Sequence, residues 1–326
     1  MNARRTCARA WATCAALWLL APCAAQAAAD YPRIATIPVD VWPKQLAVRP
    51  DGAEVWVTNL RAHTLSIISS ATNTVIHTVR LMGQPVEIVF TPDGKRAFVS
   101  LLNRRRFAVL DAHSREVLGH VRVGNQPKGI ALSPSGNLAL ATNWASHSAT
   151  FIDTRTLRAK QTVRVGRVPR GVAFRPRSDE VWVGNFASHS ISILSAKKRA
   201  VIATLPKLPR NPRHIVFDRA GKLAYVTCLG AGVVLVIDAK TRRVLDQIKV
   251  GREPRTIALT PDGKRAILAN YRSNTVSILD LKRRQIVAEL KSDRHPIGIS
   301  VTPDGARLYV SNFNAYNVTV YELKPK

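Results

Sequence analysis

The feature that most constrains the fold of this chain is a repeat of 42 residues that opens on a proline. Seven copies follow one another with a single one-residue insertion, and they begin at Pro43, Pro85, Pro127, Pro169, Pro212, Pro254 and Pro296. Short runs within each copy alternate between apolar and polar residues, and this period of two predicts β-strands. Four short strands per copy predict an all-β chain, a seven-bladed β-propeller of four-stranded antiparallel blades over residues 28–326.

The turn between the first two strands of a copy has its own signature. Pro-Asp-Gly occurs at Pro50 to Gly52 and recurs from Pro92, Pro261 and Pro303. Proline presets φ, aspartate bonds back to the backbone, and glycine takes the positive φ that follows. A tight turn is therefore expected at the same place in each of these blades.

The last copy ends after its third strand, and the start of the propeller has a strand to spare. Residues Ile34 to Ile37 stand just before the opening proline Pro43. Val75 to Val79, the fourth strand of the first copy, stand in the same way before Pro85, so Ile34 to Ile37 match a fourth strand. Pairing this N-terminal strand with the last blade would close the ring and remove the open edge of a repeat array. We expect the propeller to be closed in this way.

Residues 1–27 differ from the rest of the chain. Arg4, Arg5 and Arg9 precede an apolar run from Ala10 to Ala21, and small residues end at Ala27. This order predicts a cleavable signal peptide and a periplasmic protein. A lipoprotein box ending at Cys23 and a twin-arginine signal at Arg4 stay as alternatives. No later segment has the 18 consecutive apolar residues of a membrane span, so we expect a protein without transmembrane segments. We also expect a monomer.

Cleavage after Ala27 would leave Cys228 as the one cysteine, so no internal disulfide is expected. Cys228 stands at the end of a second strand, where five other blades have asparagine: Asn59, Asn143, Asn185, Asn270 and Asn312. Recurrence favours a structural role, in which the amide bonds loop backbone. For Cys228 the same logic predicts a buried, unreactive thiol.

The strand Tyr309-Val310-Ser311-Asn312, with variants ending at Asn59 and Asn185, resembles the YVTN-repeat β-propellers, including exported YncE-like members. The resemblance covers everything after residue 27 and implies the propeller fold. It implies no single activity, because that fold hosts binding modules, lactonases, cofactor-bearing domains and surface proteins.

Catalytic signatures are lacking in the sequence, which has no Gly-x-Ser-x-Gly elbow, phosphate-binding glycine loop or His-Glu-x-x-His. Resemblance implies that a propeller lactonase gathers acidic and amide side chains around a divalent ion, and Glu87 is a lone candidate acid. His63, His147 and His189 are equivalent by repeat, and we interpret them as residues that cap turns rather than metal ligands. We therefore expect no catalytic residues, metal or cofactor. The alternatives are a lactonase-like enzyme and an accessory subunit of a periplasmic cofactor-dependent dehydrogenase.

Charge points to the class of partner. The formal net charge is +28, and loss of residues 1–27 removes three arginines and no acid, leaving +25. Such a bias favours an anionic ligand: a nucleic acid, another polyanion or an acidic protein. A basic surface that merely keeps the protein soluble is the alternative.

The repeat register predicts where this charge lies. The loops that lead into each blade share one face, here called the opening face, and the Pro-Asp-Gly turns share the other, the turn face. Two columns of cations fall on the opening face: Lys44, Lys128, Arg170, Arg213 and Arg255 directly after the opening prolines, and Arg167, Arg210, Arg252 and Arg294 two residues before them. Aromatic residues of the same face are Trp42, Trp144, Phe186, Tyr271 and Phe313.

Cations interleaved with aromatic rings predict a non-catalytic binding protein whose opening face contacts phosphates and stacks bases, or binds another anionic chain. Some of the rings could instead wedge between blades. The turn face is basic too, at Lys197 to Arg199, Lys240 to Arg243 and Lys282 to Arg284, but without aromatic neighbours. We interpret that charge as solvated turns.

Overall fold

The computed structural model describes residues 30–323, which fold into β-strands joined by short turns. The predicted signal peptide lies outside this range. Twenty-eight strands are formed. After β1 (Arg33–Pro38), the first three blades comprise β2 (Pro43–Val48), β3 (Glu54–Asn59), β4 (Thr64–Ser69), β5 (Thr74–Arg80), β6 (Pro85–Phe90), β7 (Arg96–Leu101), β8 (Arg106–Asp111), β9 (Val117–Arg122), β10 (Pro127–Leu132), β11 (Leu138–Asn143), β12 (Ser148–Asp153) and β13 (Arg158–Arg164).

In each blade the first strand lies nearest the channel and the fourth lies outermost. The remaining strands form the other four blades. They are β14 (Pro169–Phe174), β15 (Glu180–Asn185), β16 (Ser190–Ser195), β17 (Ala200–Leu205), β18 (Pro212–Phe217), β19 (Leu223–Cys228), β20 (Val233–Asp238), β21 (Val244–Lys249), β22 (Pro254–Leu259), β23 (Arg265–Asn270), β24 (Thr275–Asp280), β25 (Gln285–Lys291), β26 (Pro296–Val301), β27 (Arg307–Asn312) and β28 (Asn317–Glu322). Seven four-stranded antiparallel sheets result, and the predicted fold class is confirmed.

The ring closes as the repeat register predicts. The last sheet has the order β1-β28-β27-β26, and Ile37 of β1 lies opposite Val318 of β28. The N-terminal strand is thus the outer strand of the seventh blade. No helix within residues 30–323 is long and apolar enough to cross a membrane.

The Pro-Asp-Gly turns adopt the expected geometry. Gly52, Gly94, Gly263 and Gly305 have φ between 69° and 78°. In the first of these turns the Asp51 carboxylate accepts a hydrogen bond of 3.0 Å from the Ala53 amide. Glycine is needed here because other L-residues rarely adopt this φ.

The hydrophobic core consists of seven clusters, and each cluster joins two neighbouring blades. Trp56 of the first blade, for example, packs with Val99 of the second, and Trp182 packs with Ile215 of the next blade. Successive side chains of a strand point to opposite faces of its sheet, so each blade packs one face against the preceding blade and the other against the following blade. Stability therefore resides at the boundaries between blades.

The asparagines at the ends of the second strands have a structural role, but most of their partners differ from the loop backbone groups that were expected. Asn143 donates to Ser148 (3.0 Å) and Thr150 (2.9 Å) on the third strand of its own blade, and the other four asparagines repeat this pattern. Asn143 also accepts a hydrogen bond from the loop amide of Gly124. The amide thus bonds mainly strand hydroxyls, because the side chain is fully buried beside them.

Candidate functional site: the cationic mouth of the channel

The innermost strands place two rings of side chains at the opening-face mouth of the central channel. The residue after each opening proline forms the first ring and the following residue the second. Together they line one small cavity with a volume of about 40 Å³, formed by Lys44, Gln45, Val86, Glu87, Lys128, Gly129, Arg170, Gly171, Arg213, His214, Thr256 and Ile297. Such a volume exceeds that of one water molecule. It can hold a small charged group.

Hydroxyl groups from the second strands hold the first ring in place. Thr142 accepts a hydrogen bond of 2.9 Å from the Gly129 amide and donates one of 2.8 Å to the Arg170 carbonyl of the next blade. Equivalent bonds to the next blade are made by Thr58, Ser100, Thr227 and Ser311. Gly184 and Ala269 occupy this position in the other two blades. Contacts between blades thus fix the backbone of four of the five cations, Lys44, Lys128, Arg170 and Arg255, whereas Arg213 follows the blade that has Gly184.

The first column of predicted ligand-binding residues converges on this cavity. Lys44, Lys128, Arg170, Arg213 and Arg255 all line the cavity or flank it, and all are half-buried. Arg255 approaches Glu253 at 3.4 Å, whereas the described residues place no carboxylate within 4.0 Å of the other four. The mouth therefore holds an excess of unpaired positive charge.

This charge is held at an electrostatic cost. Burial, followed by the charge of Arg170, lowers the pKa of Lys128 to about 7. The pKa of Lys44 is lowered well below its usual value by burial and then by the charges of Lys128, Arg213, Arg255 and Arg170. Burial likewise lowers the pKa of Arg170 to about 10. Clustered cations that disfavour one another's charge are characteristic of functional sites, because a bound anion relieves the repulsion.

One acid faces these cations. The Glu87 carboxylate accepts a hydrogen bond of 2.8 Å from the side-chain amide of Gln45, which belongs to the neighbouring blade. Burial raises the pKa of Glu87 to about 7, although the bond from Gln45 and the charges of Arg213, Lys44 and Lys128 oppose this shift. His214 completes the second ring, and burial with the charge of Arg213 lowers its pKa to about 4. His214 is thus neutral at pH 7.

Four of the five predicted aromatic residues lie beside the cations of the mouth, whereas Trp42 stacks on Phe313 at 5.3 Å and has Arg61 over its ring. Trp144 has Lys128 at 4.9 Å and Arg170 at 5.6 Å from its ring centroid. Arg170 also lies over Phe186 at 4.6 Å, Arg255 over Tyr271 at 3.5 Å, and Lys44 over Phe313 at 5.5 Å. Each of these rings therefore uses at least one face to hold a cation of the mouth.

The second column of cations lies outside the cavity, on the surface around the mouth. Arg167, Arg210, Arg252 and Arg294 are exposed. The Arg252 guanidinium reaches the Arg272 carbonyl at 3.4 Å, and these four side chains make no ion pair within 4.0 Å in the described part of the chain. Below, they are called the rim arginines. The two columns thus differ in depth, although both lie on the same face.

The other residues considered from the sequence have structural positions. His147 and His189 accept hydrogen bonds from the amides of Val168 and Asn211 at 3.2 Å and 3.1 Å, so they cap neighbouring turns. Residues 30–323 contain no group of three or more histidine, cysteine or acidic side chains arranged to hold a metal ion. Cys228 is fully buried, and burial raises its pKa to about 12.

Gln45 and His214 were not predicted as site residues. Two features of the sequence could have indicated them. Each directly follows a first-ring residue, and glycine occupies three of the equivalent positions, Gly129, Gly171 and Gly298. A β-carbon at Gly129 would lie 2.2 Å from the Arg170 carbonyl oxygen. These glycines therefore mark the crowded wall of the channel.

Comparison with known proteins supports the fold, and one family model matches part of the chain. The model of the family described as "Lactonase, 7-bladed beta-propeller" matches residues 207–326. Hydrazine synthase from Kuenenia stuttgartiensis has a similar structure, with a TM-score of 0.77 and 22% sequence identity over 86% of this chain and 95% of that chain. No curated protein matches. The resemblance to YVTN-repeat proteins stays a prediction. The C-terminal part of this seven-bladed propeller is similar to the lactonase propellers.

Proposed function

We propose that this protein is a binding protein that takes the anionic group of its ligand, a phosphate, sulfate or carboxylate, into the mouth of the central channel. The observation that carries this proposal is the convergence of four cations on one cavity, with Arg255 next to Arg213 beside it, while the described lining residues include a single carboxylate, Glu87. Oxyanions form strong charge-assisted hydrogen bonds with such donors. A divalent cation would be repelled by the same charge.

The size of the cavity narrows the ligand class from the polyanions suggested by the sequence. About 40 Å³ at the mouth accommodates one anionic group, and the larger cavity of the channel beyond Gln45, Glu87 and His214 is lined mainly by apolar side chains, which do not favour a run of phosphates. The aromatic rings already contact cations, which leaves fewer free faces for stacked bases. A small oxyanion, or the anionic end of a larger ligand, therefore fits better than a strand of nucleic acid.

Calorimetric titration with sulfate tests the proposal. Replacing Arg170, Arg213 and Arg255 together by glutamine should weaken binding at least tenfold, because hydrogen bonds to charged groups contribute about 1.5–3 kcal/mol each. The matched control is the triple replacement of Lys240, Arg243 and Lys282 on the turn face by glutamine. Arg242 is left intact because it bonds Glu180 at 3.1 Å. Equal weakening in both triples, or no binding by the unaltered protein, would refute a site at the mouth.

The match to the lactonase family supports a second candidate, hydrolysis of a lactone. Arg213, His214 and Arg255 of the mouth lie within the matched residues. Glu87, with a pKa of about 7, is suited to proton transfer near neutral pH. An assay of lactone hydrolysis, with and without added divalent cations, tests this candidate. Turnover that is lost in Glu87→Gln would favour it over simple binding.

The cellular location is proposed from the sequence alone. Export would place the binding site in the periplasm, as the order of residues in 1–27 suggests. Sequencing the N-terminus of protein recovered from the periplasmic fraction tests this. A start at Ala28 is expected, whereas a retained Met1 would contradict it.

A further inference from the structure

Glu87 occupies an unusual position for an acid among five cations. Its carboxylate bonds the Gln45 amide at 2.8 Å, yet it makes no ion pair within 4.0 Å in the described part of the chain. It nevertheless lines the same cavity as Lys44, Lys128 and Arg213, whose charges act on it, while Arg170 and His214 line the cavity and Arg255 flanks it. The acid therefore faces the space that a ligand anion would use.

We propose that Glu87 is the internal competitor of this anion site, so that the ligand binds when the Glu87 carboxylate has taken up a proton from solvent. This inference rests on the proposed function and assigns its regulation. The proton goes to a Glu87 oxygen, and the anion then supplies the negative charge that Glu87 gives up. Binding of one anion is thus coupled to uptake of one proton.

Gln45 can serve both protonation states. Its Nε2 donates to the ionised carboxylate, and its Oε1 is buried without a hydrogen-bond partner. Rotating the amide by half a turn would present Oε1, which accepts from a protonated carboxyl group. Oε1 lies 2.6 Å from the β-carbon that residue 298 would carry, so glycine at that position leaves room for the amide. The same partner therefore stabilises the acid before and after the exchange.

The expected size of the effect follows from the protonated fraction of Glu87. With a pKa of about 7, roughly one molecule in ten is protonated at pH 8 and nearly all are protonated at pH 6. Apparent affinity scales with the fraction that is competent to bind, so sulfate should bind about tenfold more weakly at pH 8 than at pH 6. Sulfate does not titrate in this range.

The contributions of Lys128 and Lys44 must be separated from that of Glu87. The pKa of Lys128 is also about 7 and that of Lys44 is lowered well below its usual value, so loss of either positive charge would weaken anion binding in the same direction as ionisation of Glu87. Replacing both lysines by arginine keeps the two positive charges throughout this pH range. His214 contributes nothing here, since its pKa of about 4 keeps it neutral. The experiment is therefore carried out in the Lys44→Arg, Lys128→Arg double variant.

Sulfate binding is measured by calorimetry from pH 6 to pH 8, in pairs of buffers with different ionisation enthalpies so that protons are counted. The Lys44→Arg, Lys128→Arg double variant should take up close to one proton per sulfate at pH 8. Adding Glu87→Gln should abolish this uptake and strengthen binding at pH 8 about tenfold, with no dependence on pH. Glu87→Ala serves as a second variant, and thermal unfolding checks that each variant folds.

Two results separate the inference from the proposed function. If the Lys44→Arg, Lys128→Arg double variant binds sulfate without proton uptake, or if Glu87→Gln and Glu87→Ala leave its affinity unchanged, Glu87 is no competitor. Loss of binding in the Arg170, Arg213 and Arg255 triple would still uphold the anion site. If the unaltered protein binds no sulfate at any pH, the anion site and the competition both fail.

Discussion

Arg33 donates to both carboxylate oxygens of Asp293, at 2.9 Å and 2.7 Å, across 260 residues of chain. Asp293 also accepts a bond of 2.8 Å from Asn317 on β28. The bond from Arg33 is the largest of the effects that lower the pKa of Asp293. The contact fastens β1 to the loop that leads into the seventh blade.

Deleting residues 28–40 should therefore destabilise the propeller. The deletion exposes the edge of β28 and removes Ile37, which is 3% exposed, from the core between the seventh and first blades. Loss of one buried isoleucine side chain alone costs about 2–5 kcal/mol. The thermal midpoint should fall, and light scattering should detect association through the free edge.

Ile34→Ser is the control for this deletion, because Ile34 belongs to the same strand but is 43% exposed. It should leave the midpoint nearly unchanged. A deleted protein that stays monomeric and melts with the unaltered one would show that β1 does not close the ring.

The sequence predicts the fold almost completely and the site only in part. Period-two runs, the turn at Gly52 and the spare strand at Ile34 are local signals, and each survives in the structure. The register also placed Arg170 and Arg167 on one face. It could not say that Arg170 lines the channel while Arg167 is exposed, because depth depends on how the blades pack around the axis.

The partners of these side chains were also hidden from the sequence. The sequence suggests that Trp144 stacks on a ligand, whereas in the structure its ring lies beside Lys128 and Arg170. Gln45 meets Glu87 across a blade boundary, 42 positions apart, and no local pattern encodes that contact. Neighbours of this kind follow from the closed ring, which fixes which inner strands touch.

Lys128 should make stability depend on pH. Because its folded pKa of about 7 lies below the unfolded value near 10.5, the unfolded chain holds more protons between these values, and the free energy of unfolding rises with pH in that window. Thermal midpoints should increase from pH 7 to pH 9. Lys128→Met should raise the midpoint at pH 7 and reduce this slope.

Lys240→Met removes the same charge from an exposed turn and should change neither the midpoint nor the slope. A Lys128→Met protein with an unaltered slope would mean that the ammonium group is not disfavoured in the channel.

The rim arginines should assist binding through long-range attraction rather than contact. Replacing Arg167, Arg210 and Arg252 by glutamine should weaken sulfate binding less than tenfold at low salt, and the difference should vanish near 1 M salt, where the screening length is about 3 Å. The channel triple should stay defective at high salt. Titrations at both ionic strengths test this, and a rim defect that persists at 1 M would indicate direct contact.

Ala269→Ser should stabilise the protein by completing a hydrogen bond between blades. Ala269 occupies the place of Thr142 and Ser311, whose hydroxyls bond the next inner strand at 2.8 Å and 3.0 Å. One added hydrogen bond contributes about 1 kcal/mol, which denaturant unfolding can measure. Ala266→Ser is the control, because both alanines are buried in apolar clusters but only Ala269 occupies the position of the bonding hydroxyls, so Ala266→Ser should destabilise. A loss of stability in Ala269→Ser would show that the repeat equivalence fails there.

The placement of the seven apolar clusters between blades bears on how the number of blades can change. A single 42-residue copy carries half of each of two clusters, so it has no complete core of its own. Duplicating one copy would add two matching halves, and the inserted blade would find partners on both sides. Removing part of a copy would instead leave unmatched halves around the ring, so this architecture should tolerate change only in whole repeats.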